Sequence, residues 1–84
     1  NFGANGVSKK SNVPLSIDYM FYATGDFGGG CLELEASPDN GVNWFTVDAL
    51  TCPGRLVRYL VSGEKIRLTL LSAINPDISA GIRQ

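Results

Sequence analysis

Apolar and polar residues alternate with a period of two along most of this chain, and that period predicts β-strands. Val13, Leu15, Ile17, Tyr19 and Phe21 fall on alternate positions, with Ser16 and Asp18 between them. This predicts a long half-buried strand that starts at Val13, tolerates Pro14 near its beginning and ends at Thr24-Gly25. Cys31 to Ala36 repeats the pattern, with Leu32 and Leu34 on one face and Glu33 and Glu35 on the other. Ser37-Pro38-Asp39-Asn40-Gly41 reads as a turn, because Pro presets φ and Asn-Gly accepts positive φ. Trp44 to Leu50 then returns as the second strand of a β-hairpin. That strand carries bulk on both faces, Trp44 and Leu50 on one parity, Phe45 and Val47 on the other. Either a bulge or burial on both faces accounts for it.

Leu56 to Val61 and Lys65 to Leu71 supply two further strands, and Ile78, Ala80 and Ile82 alternate in a closing one. No window sustains a 3.6-residue period with helix caps. The expected fold is all-β, a small antiparallel β-sandwich or barrel of six to seven strands, the seventh drawn from the first twelve residues. Residues 1–12, NFGANGVSKKSN, lack the apolar content to order themselves and read as a flexible N-terminal arm or loose strand, an arm of this kind ordering against a neighbour. Residues 13–84 form a single β-sandwich domain in this reading.

Composition adds a limit on what such a domain can do. A chain of 84 residues buries only about 60–65% of its unfolded surface, so stability supplied by a partner subunit is expected. With no histidine, a Ser-His-Asp or Cys-His catalytic set and a histidine-based zinc site are excluded within the chain, and two cysteines cannot make an all-thiolate one. The net charge of −1 conceals three blocks: +2 over residues 1–12, −6 over 13–54 and +3 over 55–84. Two readings stand: acidic and basic strands pair within one sheet, or the molecule has an acidic and a basic side suited to docking. A pI near 5.1 without a dense basic cluster argues against nucleic acid, and no apolar run approaches a membrane-spanning helix.

Each candidate chemistry has a plainer explanation beside it. The glycines from Gly25 to Gly30 lack the Lys-Ser/Thr ending of a phosphate loop and read as a turn, or as a place where another backbone approaches closely. A Cys31–Cys52 disulfide would need a bulge to bring the two into register, so both read as free thiols. Glu33 and Glu35 could serve a glycosidase, but a chain this short has little material to wall in a cleft, and a solvated strand face is the expectation. Asp39, Asn40 and Asp77 sit where turns want them, without calcium-loop spacing. Trp44 reads as the core anchor and Tyr22 as the exposed aromatic. No catalytic residue, cofactor or metal is expected. The candidate partner-binding residues are Phe2, Lys9 and Lys10 of the arm, Tyr22, and Arg55 and Arg58 of the basic block.

From Tyr22 to Ile78, the stretch YATGDFGGGCLELEASPDNGVNWFTVDALTCPG followed by GEKIRLTLLSAINPDI resembles small virion structural proteins of tailed bacteriophages, of the capsid-decoration or cement kind. The carrying elements are the Leu-Glu strand, the Ser-Pro-Asp-x-Gly-x-x-Trp turn, the Gly-Glu-Lys-Ile-Arg-Leu strand and the Asn-Pro-Asp-Ile ending. The resemblance implies a non-enzymatic protein of the virion's capsid surface, made in the host bacterial cytoplasm. It would act as a homotrimer that clips major capsid protein subunits together. The same motifs occur in phage tail and fibre modules and in carbohydrate-binding sandwiches, which are the alternatives.

Overall fold

In the computed structural model, which describes residues 2–84, every strand expected from the alternation forms. In chain order they are β1 (Gly6–Val7), β2 (Ser11–Asn12), β3 (Ile17–Asp26), β4 (Cys31–Ser37), β5 (Phe45–Leu50), β6 (Gly54–Leu60), β7 (Lys65–Leu71) and β8 (Asp77–Arg83). One antiparallel sheet runs β6-β3-β8. The other runs β1-β7-β4-β5, with β2 also paired to β7. The six long strands are those the sequence predicts, and the extra two are two-residue pieces of the N-terminal segment. The result is a small all-β sandwich.

The core lies between the sheets. Tyr19, Phe21 and Ala23 of β3 face Leu32, Leu34 and Ala36 of β4 and Ile66, Leu68 and Leu70 of β7. Each fully buried Leu or Phe contributes about 1.5–3 kcal/mol relative to exposure, and these residues supply most of the driving force.

β3 starts at Ile17 rather than Val13, for a backbone reason. Pro14 has no N–H to give a ladder. The Val13 N–H donates to the Glu64 carbonyl at 2.9 Å and the Gly63 N–H donates to the Val13 carbonyl at 3.1 Å. Val13 is therefore a buried plug against the β6–β7 turn. The Tyr19 hydroxyl then accepts from the Leu15 N–H and donates to the Leu15 carbonyl, leaving the Leu15 side chain outside.

The two-faced hairpin strand resolves as a bulge. Leu34 lies opposite Asp48 and Glu35 opposite Thr46, so Val47 is the extra residue. Trp44 is consequently half-buried on the outside of its sheet rather than anchoring the core as the sequence predicts. The glycines from Gly25 to Gly30 answer to close backbone approach. A Cβ on Gly25, at φ 107°, would sit 2.1 Å from the Asp77 carbonyl oxygen, and one on Gly28 would sit 2.1 Å from that of Ile74.

The N-terminal segment departs most from expectation. Instead of a free arm, residues 2–12 cross from the edge of β8 to the edge of β7. Phe2 and Ile78 exchange both backbone hydrogen bonds, and Phe2 packs against the core. Asn5 then clasps Ala73, accepting from its N–H at 2.8 Å and donating to its carbonyl at 3.0 Å. Ser8 treats Leu68 in the same way, donating its own N–H to the carbonyl and accepting from the Leu68 N–H at its hydroxyl. The composition that reads as disorder is thus one of small polar side chains that stand in for backbone along an open edge. The opposite side of the sandwich closes through an ion pair between Arg58 of β6 and Asp48 of β5.

Candidate functional site

In an antiparallel sheet, residues directly opposite one another share a face. On β6-β3-β8 the outward set is Tyr59 opposite Asp18, Val57 and Arg83 flanking Met20, and Arg55 and Gly81 flanking Tyr22. Val57 is 56% and Tyr59 60% exposed, high values for large apolar side chains in the middle of a strand. Val61, also exposed, follows Tyr59 on the same parity at the end of β6, whereas Ile17, exposed at the start of β3, lies opposite the buried Leu60 and so on the core parity. Three exposed large apolar side chains, Val57, Tyr59 and Val61, therefore share this face, whose charges are Asp18, Arg55 and Arg83. Contiguous apolar surface rimmed by polar groups is the signature of a contact site.

Of the residues proposed from sequence, Tyr22 and Arg55 come together here as a registered pair. Tyr22 is half-buried, because its ring lies across Gly81: a Cβ there would fall 2.7 Å from the Tyr22 hydroxyl. Tyr59, not Tyr22, is the most exposed tyrosine of this face. Arg58 turns to the opposite parity and is engaged with Asp48. Phe2, Lys9 and Lys10 lie elsewhere, along the side where the N-terminal segment bridges the sheets.

Sequence reasoning missed Val57, Tyr59 and Arg83. The available signal was that residues 56–61 are apolar on both parities, while a three-stranded sheet can bury only one face.

On the other sheet's outer face, which also carries exposed Val7 and Leu71, Glu35, Arg67, Thr69 and Trp44 engage one another. Arg67 stacks over the Trp44 ring at 4.1 Å from its centroid while its Nε–H donates to Glu35 at 2.7 Å. The Thr69 hydroxyl donates to the same Glu35 oxygen at 2.6 Å. Burial alone would raise the Glu35 pKa, but these two donors and the Arg67 charge outweigh it and hold the carboxyl below its ordinary value. A glycosidase's general acid needs the reverse shift, so Glu35 does not suit that role.

At the hairpin turn, Asp39 accepts from the Asn43 N–H, the Asn43 side-chain amide and the Ser37 hydroxyl. Those bonds, the backbone one first, hold its pKa at about 2. This is turn chemistry, with Asn40 and Gly41 both at positive φ. Cys31 and Cys52 are free thiols, and burial together with Glu33 pushes the Cys31 pKa up, away from nucleophile character. Among the described residues no three His, Cys, Asp or Glu side chains gather closely enough to hold a metal ion. Comparison with protein-family models, with curated proteins and with solved structures finds no match to this chain.

Proposed function

We propose that this chain is a docking protein of a bacteriophage particle, of the capsid-decoration kind. In this reading it is not an enzyme, and it binds the major capsid protein through the outer face of β6-β3-β8. The observation that carries the reading is the exposed apolar flank of Val57 and Tyr59, continued by Val61, with Asp18, Arg55 and Arg83 on the same face. Apolar side chains held rigidly on a sheet lose little conformational freedom on binding, and the bordering arginines supply orientation and charge-assisted bonds. The resemblance of the Leu-Glu strand, the Ser-Pro-Asp turn and the Asn-Pro-Asp-Ile ending to phage virion proteins supplies the kind of partner. A homotrimer on the capsid lattice belongs to the same proposal.

The test is co-sedimentation of the purified chain with capsid shells of the phage that encodes it. Replacing Val57 and Tyr59 together by Ser removes two apolar contacts. Each is worth about 1–2 kcal/mol, so affinity falls roughly 30-fold to 1000-fold. The thermal midpoint stays close to that of the unaltered chain, because neither side chain is in the core. Undiminished binding by the variant, or binding of the unaltered chain to tail tubes and not to shells, defeats the proposal.

A further inference from the structure

The outer edge of β8 is only partly used. Because Phe2 and Ile78 exchange both backbone hydrogen bonds, the N–H and C=O of Ile78 point away from β3. Backbone groups in a strand repeat their direction every two residues, so those of Ala80 and Ile82 point the same way. Among the described residues no loop or strand pairs with that edge beyond Ile78. The edge of β7, by contrast, is taken up by β1, Ser8 and β2.

Beside the open stretch of β8 runs a groove of about 530 Å3, bounded on its far side by residues 8–14. Tyr19, Ile66, Leu68 and Ile82 give it an apolar floor. Its charged lining residues are Lys9, Arg67 and Arg83, with no Asp or Glu among them, in a chain whose net charge is −1. Arg67 is committed to Glu35, which leaves Lys9 and Arg83, both exposed, as the groove's free cations.

We propose that this groove binds an extended acidic segment of a partner protein, which adds to β8 as a fourth strand of that sheet. Each observation fixes one property of the occupant. The unpaired edge requires an extended backbone with its own N–H and C=O to offer. The apolar floor selects apolar side chains at alternate positions, and Lys9 with Arg83 selects carboxylates around them. Phe2 demonstrates that this edge accepts a strand residue, and it fixes where the added strand must stop. The site shares Arg83 with the outer sheet face but is otherwise distinct from it, and stands whether or not the partner is a capsid protein.

The experiment uses the full chain, 15N-labelled, titrated with a capped peptide alternating valine and glutamate. The Ala80 and Ile82 amides are expected to shift most and to gain protection from hydrogen exchange, with affinity falling as salt is added. Lys9→Glu with Arg83→Glu weakens binding about tenfold or more. Ile82→Pro abolishes it while leaving the fold, verified by thermal unfolding, because the N–H removed is the outward one. The same peptide with alternate backbone amides N-methylated does not bind, which tests the edge even if the proline variant fails to fold. Equal binding by a valine–lysine peptide, shifts centred elsewhere, or no binding at millimolar peptide overturns the proposal. Shifts at Ala80 and Ile82 that grow with protein concentration alone overturn it in favour of a second copy of the chain.

Discussion

Asn5→Ala is the sharpest test of the N-terminal segment as part of the fold. The Asn5 side chain exchanges two hydrogen bonds with the backbone of Ala73, at 2.8 and 3.0 Å, and Ala73 is buried. A net hydrogen bond contributes about 0.5–1.5 kcal/mol, and losing one partner adds desolvation of the group left behind. Asn5 itself is exposed, so water reaches part of the gap, and the expected loss is about 1–2 kcal/mol. In a domain of this size that lowers the thermal midpoint by roughly 5–15 °C. Urea unfolding followed by Trp44 fluorescence should show a lower midpoint with an unchanged slope, since the surface exposed on unfolding is the same. Hydrogen exchange should show the Ala73 amide losing protection while the Leu34 amide, in the central strand β4, falls only by the global loss. If Asn5→Ala unfolds within about 0.3 kcal/mol of the unaltered chain and Ala73 stays protected, the segment does not hold the two sheets together.

Other outcomes follow from the core, a close backbone approach and one turn. Leu34→Ala, at a side chain 1% exposed between the sheets, should cost about 3 kcal/mol in urea unfolding. Gly25→Ala meets the Asp77 carbonyl and a positive φ together, so it should destabilise by more than about 1 kcal/mol, whereas Gly63→Ala, with open space around it, suffers only its φ. Asp39 has a folded pKa of about 2, below its unfolded value of about 3.9. Its contribution is therefore complete above pH about 4 and is lost as pH falls toward about 2. Carboxyl NMR titration should place its midpoint there, and Asp39→Asn should flatten that part of the stability profile.

What could be read from the sequence was whatever a period of two controls. β4, β7 and the tail of β8 carry one apolar parity each, and their faces came out as the alternation predicts. Residues 56–61 carry two apolar parities, so the pattern could not tell Leu56 and Leu60 from Val57 and Tyr59, and the exposed apolar face stayed hidden. Position along β5 was also undetermined, because a bulge at Val47 shifts register without leaving a turn residue to mark it. A strand within the first twelve residues was expected, but its partners on β7 and β8 were not legible, for a different reason. Two-residue ladders and side-chain-to-backbone clasps need no apolar repeat, and the polar residues that make them are those found in disordered segments.

The charge blocks resolve in part into pairing within the fold. Two basic residues of the last block are spent on acids of the middle one: Arg58 on Asp48 at the β5–β6 closure, and Arg67 on Glu35 within the second sheet. Those pairs are local. Arg58–Asp48 is largely exposed and is worth no more than about 1 kcal/mol, enough to fix the approach of two edges but not to drive folding. Lys65 reaches Asn12 and so helps hold the N-terminal segment. Of the four cations left over, Lys10 lies beside Gly41 of the hairpin turn, and the other three border two surfaces. Arg55 and Arg83 border the apolar face, and Lys9 and Arg83 border the groove, so Arg83 is common to both surfaces. A substitution there should weaken contacts of either kind, whereas Tyr59 and Ile82 separate them. That separation makes the two proposals independently testable on one small chain.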